Sequence, residues 1–192
     1  MRALILISYL ASNICHGFSV ITASSKLPDA CRYRSHNLHS FSMVDSAGKS
    51  KPRVVIVGAT GYIGKYVVQE SVRQGYETIA VCRPGSTPKV DYFKGAEVVY
   101  GDVTNSDSLK QNVFQKKDVD IVISCLASRS GVKSDSYAID YQATLNALNT
   151  ARANGSKHFI LLSAFCVRRP LLQFQHAKLK FEEALTSAGD IK

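Results

Sequence analysis

The sequence has no tryptophan, no apolar run as long as a membrane-spanning helix and no two cysteines at CxxC spacing. A spanning helix needs about 20 apolar residues, so the chain offers no candidate for one. The cysteine spacing argues against a zinc ribbon, a thioredoxin motif or an iron–sulfur loop. Of the five cysteines, Cys82, Cys125 and Cys166 lie in apolar runs, which predicts reduced thiols in a core. The 45% hydrophobic and 20% charged residues are typical of a globular chain.

Acidic residues are scarce: 15 Asp and Glu stand against 24 Lys and Arg. About half of this excess of positive charge falls in residues 1–53, which contain seven basic and two acidic side chains. In the rest of the chain the basic residues are scattered singly, without a stripe or interleaved aromatic side chains. This pattern predicts no nucleic-acid interface.

The first 50 residues have the composition of a targeting segment. Residues 1–17 combine a basic start with a short apolar run, as in a signal peptide. Residues 18–50 open with Phe18, are rich in Ser, Lys and Arg, and contain only Asp29 and Asp45 as acids, as in a disordered transit peptide. Together they predict a bipartite leader to a complex plastid (chloroplast); plain secretion with a disordered linker is the alternative.

From residue 51 onward, β-branched runs alternate with helical patterns. This alternation predicts an α/β fold with a doubly wound parallel Rossmann sheet of five strands in the order 3-2-1-4-5. The expected strands are 53–57, 77–82, 96–100, 119–124 and 158–163, and the expected helices are 61–73, 106–114, 136–154 and one beginning at 171. Residues 51–192 are expected to be an incomplete NADP-binding domain that lacks a C-terminal substrate lobe.

The strongest motif follows the first strand directly. Gly58, Gly61 and Gly64 are spaced GxxGxxG in a loop that opens a helix. Such glycines permit a tight turn, a close approach to a pyrophosphate and close helix–strand packing. The helix N-terminus adds backbone donors and partial positive charge. The whole loop is therefore the expected cofactor site, including Thr60, Tyr62 and Ile63.

Residues after the neighbouring strands define the rest of the expected cofactor site. Arg83 stands where an NAD site would have an acid, and a guanidinium suits the 2′-phosphate of NADPH. Asp102 and Val103 follow the third strand and fit either an adenine contact or a simple turn. Arg129 follows the fourth strand, where it is expected to contact phosphate or a substrate carboxylate, or only solvent. No metal site is expected.

The GATGxxG turn and the following pattern resemble the extended and atypical short-chain dehydrogenase/reductase superfamily. The resemblance implies a Ser after the fifth strand, then a Tyr and a Lys four residues apart. Ser163 and Lys178 take the first and last of these catalytic positions, and Lys178 is also expected to hold the nicotinamide ribose. Phe174 replaces the Tyr, which removes the usual acid–base hydroxyl. His176 points roughly to the opposite side of the helix and is expected to be a surface or packing residue rather than a replacement donor.

Four longer runs resemble the plastid divinyl chlorophyllide a 8-vinyl-reductases, an atypical family of that superfamily. The runs are residues 124–129, 139–144, 157–164 and 170–182. The resemblance, to the N-terminal part of that family, implies NADPH-dependent reduction of the 8-vinyl group of a tetrapyrrole chlorophyll precursor to ethyl, in a plastid. Phe at the Tyr position agrees with this family, because a conjugated C=C bond forms no oxyanion when it accepts hydride.

The sequence alone leaves two other functions open. One is another NADPH-dependent reductase of the isoflavone-reductase or NmrA-like kind, and the other is a non-enzymatic NADP(H)-binding assembly or sensor protein. The sequence decides neither the proton donor, the oligomeric state nor peripheral contact with a thylakoid or envelope membrane. The 192 residues alone are expected to bind NADPH weakly and to reduce nothing.

Overall fold

A computed structural model describes residues 51–115 and 118–192, together with the backbone of 20–22. Its single sheet has six strands in the order β1-β6-β5-β2-β3-β4. The strands are β1 (Val20–Thr22), β2 (Arg53–Val57), β3 (Glu77–Cys82), β4 (Glu97–Tyr100), β5 (Ile121–Ser124) and β6 (His158–Leu162). β1 runs antiparallel to β6, and every other pairing is parallel. Numbered from Arg53, the parallel strands follow the predicted order 3-2-1-4-5, which confirms the doubly wound sheet.

The helices of the described ranges connect successive parallel strands, except for the last, which follows β6. α1 is Gly64–Arg73, and α2 joins Ser106–Leu109 to a π-helical turn, Lys110–Phe114. α3 runs without a break through Lys133–Ser136, a π-helical stretch Tyr137–Ala143 and Thr144–Ala153. α4 is Gln173–Ser187, and a short 3₁₀ turn, Val90–Tyr92, precedes β4. Within the described ranges, no helix is long and apolar enough to cross a membrane.

Strands β2, β3, β5 and β6 are buried along most of their length, as apolar parallel strands covered on both faces require, whereas β4 is partly exposed. In the central strand β2, successive side chains alternate between two cores. Val55 and Val57 face the core under α2, α3 and α4, which contains Leu148, Phe159 and Phe181. The other face packs under α1, and its buried members include Val54, Ile56, Val67, Val68 and Phe93.

Strand β1 falls within the segment expected to be disordered. The backbone of Val20–Thr22 pairs with Ile160 to Leu162, so the expectation of disorder does not hold at these three residues. Three apolar or β-branched residues in a polar leader carry too little pattern to predict a strand. The remaining predictions for 1–17 and 18–50 lie outside the described residues.

One cysteine prediction was wrong. Cys82 and Cys125 are buried free thiols, as expected, but Cys166 is exposed. Cys166 adopts φ +58°, in the left-handed region, within the turn that follows β6. The apolar run around it therefore leaves the sheet earlier than its composition suggests.

Candidate functional site

The glycine turn after β2 lies at the carboxyl edge of the sheet and is closed against its neighbour strand. Gly58 has φ +75°, and a Cβ there would lie 2.7 Å from the carbonyl carbon of Cys125 and 2.9 Å from the backbone nitrogen of Leu126. A Cβ on Gly64 would lie 2.9 Å from the carbonyl carbon of Gly58 and closer still to its oxygen. Both positions therefore require glycine, which leaves a cradle of bare backbone.

The backbone of this cradle offers donors. Gly61 donates its N–H to the Gly58 carbonyl at 3.1 Å, which closes the turn. Among the described residues, no acceptor is bonded to the N–H groups of Thr60, Tyr62 and Ile63. The first turn of α1 contains no acidic side chain and has no side-chain cap. Free N–H groups at the positive end of a helix suit a diphosphate, so the residues present fit a dinucleotide.

Tyr62 projects from the turn, with 69% of its surface exposed. Its ring meets the Tyr66 ring edge to face at 6.2 Å between centroids. The Lys65 ammonium lies 5.0 Å from the centre of the Tyr66 ring and 4.5 Å from that of Tyr92. Tyr62, Lys65, Tyr66 and Tyr92 therefore form one group of contacting side chains beside the turn.

Arg83 follows the last residue of β3 and is exposed, as a phosphate ligand would be. Its carbonyl accepts the Ser86 N–H at 3.0 Å and the Ser86 hydroxyl at 2.6 Å, which fixes the loop. Asp102 follows β4 and accepts from the Thr104 hydroxyl at 2.7 Å and the Thr104 N–H at 2.9 Å. These bonds, with a smaller contribution from the charge of Arg83, lower the pKa of Asp102. Asp102 and the half-buried Val103 therefore form a turn, and an adenine contact stays a prediction.

Arg129 lies in the exposed loop between β5 and α3. Asp135, at the start of α3, accepts the N–H groups of Arg129 and Ser130 at 3.1 and 3.0 Å. The hydroxyl of Ser130 also donates to Asp135, at 2.7 Å. The Asp135 bonds order the backbone of this loop at the carboxyl edge, beside the candidate site.

Lys178 is on α4 and is only 4% exposed. Its ammonium donates to the carbonyl oxygens of Leu126 at 3.0 Å and Leu162 at 3.3 Å. The Asp140 carboxylate of α3 lies 3.1 Å away and forms an ion pair with it, outside ideal hydrogen-bond geometry. Lys178 thus lies at the carboxyl ends of β5 and β6 as expected, but its three hydrogens already have neighbours. Direct contact with a ribose stays a prediction and requires a rearrangement.

Ser163 follows β6 directly and is fully buried. Its hydroxyl donates to the Glu182 carboxyl of α4. Burial raises the pKa of Glu182, and the Ser163 bond only partly opposes that effect. Ser163 therefore faces the helix layer in this structure, and its catalytic role also stays a prediction.

Two further residues of α4, Phe174 and His176, lie near the position where the superfamily has its catalytic tyrosine hydroxyl. Phe174, in the Tyr position, is half-buried one turn before Lys178. His176 is exposed, as its place on another helix face predicts. Across the described residues, no three His, Cys, Asp or Glu side chains are grouped as metal ligands.

Sequence reasoning missed the two buried acids of this region. Asp140 is fully buried and Glu182 is 7% exposed, each paired with a predicted site residue. Glu182 lies one helical turn after Lys178, so its face could have been inferred from spacing. Asp140 gave no such signal, because its partner is on another helix.

The sequence profile described as NAD(P)H-binding matches residues 58–188. The divinyl chlorophyllide a 8-vinyl-reductase, chloroplastic, of Arabidopsis thaliana is 48% identical over 146 residues, 71% of this chain and 35% of that protein. An isoflavone reductase homolog of Nicotiana tabacum is 37% identical over 87 residues, 41% of this chain and 27% of that protein. The chain spans about a third of the length of the curated relatives it matches.

The fold also has a solved counterpart. A crystal structure of a UDP-glucose 4-epimerase superposes with a TM-score of 0.62 at 21% identity, covering 73% of this chain and 49% of that one. This likeness shows the Rossmann fold alone. The family profile begins at Gly58, the first residue of the glycine cradle, and it covers more than half of the chain. The chain therefore belongs to the NAD(P)H-binding family.

Proposed function

We propose that this domain binds NADPH in a reductase that converts the 8-vinyl group of divinyl chlorophyllide a, or of a related chlorophyll precursor, to ethyl. The cradle of Gly58 and Gly64, whose neighbouring N–H groups have no acceptor among the described residues, is the observation that carries the cofactor part. The 48% identity to the Arabidopsis reductase over 146 residues supports the substrate part. The activity is proposed for the whole protein, because the chain spans 35% of that relative.

Arg83 supports NADPH over NADH. The guanidinium is exposed just beyond the carboxyl end of β3, and the Ser86 bonds hold the backbone around it. An always charged guanidinium fork suits the 2′-phosphate that distinguishes the two cofactors. When bound, NADPH supplies the hydride.

The chain's own residues supply binding and orientation rather than a tyrosine acid. Phe174 has no proton to donate, and the Ser163 hydroxyl is bonded to Glu182. A vinyl group conjugated to a macrocycle makes less demand on such a donor than a carbonyl does, since no oxyanion forms at the reacting bond. The main contribution of this domain is then to hold the cofactor and the vinyl group close together in the correct orientation.

A plastid location accompanies this function. The Arabidopsis relative is named chloroplastic, and the leader composition of residues 1–50 is of the targeting kind. The proposal extends to entry into a complex plastid through a bipartite leader and to peripheral contact with a plastid membrane.

Complementation of a mutant that accumulates divinyl chlorophyll tests the substrate. The gene that encodes this chain is expressed in the mutant, and the divinyl and monovinyl pigments are separated and quantified. Conversion to monovinyl pigment is expected, together with its loss in a Gly58→Ala copy that is expressed at the same level. An unchanged pigment ratio with well-expressed wild-type protein would contradict the proposal.

The shorter match to an isoflavone reductase homolog keeps one alternative, a reductase of small enones or phenylpropanoids. Phe174 and the sequestered Ser163 support another, a non-enzymatic NADP(H)-binding protein. The pigment assay separates the vinyl reductase from both, and NADPH oxidation with small enones separates the two from each other.

A further inference from the structure

The buried pair of Asp140 and Lys178 bonds to one short loop from two sides. Lys178 donates to the carbonyl of Leu126, and Asp140 accepts the N–H of Ser128 at 3.2 Å. The loop of residues 125–128, here called the clamped loop, leads from β5 towards α3. Both partners of the ion pair therefore hold the same four residues.

The clamped loop is also the surface against which the glycine turn closes. The Cys125 N–H donates to the carbonyl of Val57 at 2.9 Å. Gly58 lies so close to the backbone of Cys125 and Leu126 that a Cβ there would clash with it. One peptide unit thus separates the glycine turn from the atom that binds the Lys178 ammonium. A shift of the clamped loop would move the wall of the nucleotide cradle.

Asp140 also lies where α3 departs from regular geometry. It is in the π-helical stretch Tyr137–Ala143, fully buried, and its carboxylate faces into the domain. Single π-helical turns are rare and are concentrated at functional sites. An apolar side chain in place of a buried ion pair is often neutral or stabilising for the fold. Packing alone therefore does not explain why an aspartate is at this position.

We propose that Asp140 is a positioning residue, which fixes Lys178 and the clamped loop and thereby sets the shape of the glycine cradle. The ion pair joins α3, α4 and the ends of β5 and β6 at one point. Asp140 touches neither reactant in this scheme and acts through Lys178 and Ser128. The effect on cofactor binding rests on the proposed function, whereas the clamp itself does not.

The thiol of Cys125 gives a direct readout of the clamp. Cys125 is 8% exposed, and burial raises its pKa to about 12, so it reacts slowly with thiol reagents while the loop is closed. Cys82 on β3 is 1% exposed and reports opening of the core as a whole. Labelling of the native 192-residue chain, followed peptide by peptide in a mass spectrometer, compares the two in one sample.

The isosteric Asp140→Asn variant removes the charge and keeps the shape. We expect Cys125 labelling to accelerate about tenfold, the factor that corresponds to losing one interaction with a charged group. Cys82 labelling should stay at the wild-type rate. Asp135→Asn is the matched control, because Asp135 is on the same helix and bonds the adjacent residues 129–130 without contacting Lys178. It should leave Cys125 protected.

Two outcomes would overturn the clamp. One is unchanged Cys125 labelling in Asp140→Asn, and the other is an equal rise at Cys125 and Cys82, which would mean a loss of overall stability only. If Asp140→Asn does not fold, the double variant Asp140→Asn/Lys178→Met removes both charges at less cost than leaving one unpaired. It lacks both side chains that bond to the clamped loop, so unchanged Cys125 labelling in this variant would overturn the clamp.

A nucleotide pair extends the test to the cradle. Asp140→Asn should weaken binding of NADPH about tenfold and leave binding of adenosine 2′-monophosphate, which has no phosphate for the glycine cradle, unchanged. Asp140→Glu, which keeps the charge, should recover part of the NADPH affinity. Equal loss of both nucleotides would contradict the positioning role. A wild-type chain that binds no NADPH would instead contradict the proposed function, while the labelling result would still stand.

Discussion

Replacing Gly58 with alanine tests the cradle most sharply, because two separate costs fall on one methyl group. At φ +75° an alanine pays about 1–2 kcal/mol for the left-handed conformation. Its Cβ would also lie 2.7 Å from the backbone of Cys125, where no side chain can move aside. Overpacking of this kind adds about 1–3 kcal/mol. We therefore expect Gly58→Ala to lower the free energy of unfolding by about 2–5 kcal/mol.

Gly155 provides the matched control. It follows α3 with φ +80°, and a Cβ there would meet nothing within 4 Å. Gly155→Ala should therefore cost only the conformational part, about 1–2 kcal/mol. Urea unfolding of the 192-residue chain, followed by circular dichroism, measures both variants, and an NADPH titration accompanies it. Equal losses of stability in the two variants would refute the close approach of the turn to Cys125.

Three further predictions concern cofactor choice, the buried acid and the core. Arg83→Ala should weaken NADPH binding about tenfold and leave NADH binding unchanged, in parallel fluorescence titrations; an equal loss for both would remove the 2′-phosphate role. Burial raises the pKa of Glu182, so the folded chain holds that proton more tightly, and stability is lost as pH rises from the ordinary glutamate value through the raised one. Glu182→Gln should therefore gain stability over wild type across that window, and a difference that stays constant from about pH 4 to about pH 8 would be contrary evidence. Phe181 is fully buried with its ring 5.7 Å from that of Phe159, so Phe181→Ala should cost about 3–5 kcal/mol in urea unfolding, and a loss below about 1 kcal/mol would contradict its place in the core.

Local pattern was sufficient for the parallel strands. β2 and β3 match their predicted bounds, because short β-branched runs that are buried on both faces differ clearly from the helical segments between them. α1 begins at Gly64 rather than at Gly61, since the first glycines of the motif form the turn and not the helix.

Periodicity located the buried face of α3 only in part. The pattern of larger apolar side chains predicts a face that contains Ala138, Tyr141 and Leu148. The structure exposes Ala138 and packs Tyr141 only partly against the core, whereas Asp140 and Ala143 are buried. The middle of the buried face is lined by small and polar side chains, which a search for large apolar residues overlooks.

In the candidate site, features formed by consecutive residues were predictable, whereas contacts between distant parts of the chain were not. The glycine turn was predictable because its strand, loop and helix are consecutive. The partners of Lys178 and Ser163 come from other parts of the chain, and whether a side chain faces a cleft or a buried acid depends on packing between helices. Position in a motif therefore predicted where these residues lie but not what they bind.

An NADPH titration followed in amide NMR spectra of the 192-residue chain tests whether the glycine turn binds the diphosphate of the cofactor. We expect the N–H groups of Thr60, Tyr62 and Ile63, which lack acceptors among the described residues, to show the largest shifts, and NADH to have a weaker effect. Signals from this turn that remain unchanged at saturating NADPH, or shifts confined to another part of the domain, would contradict this role of the turn.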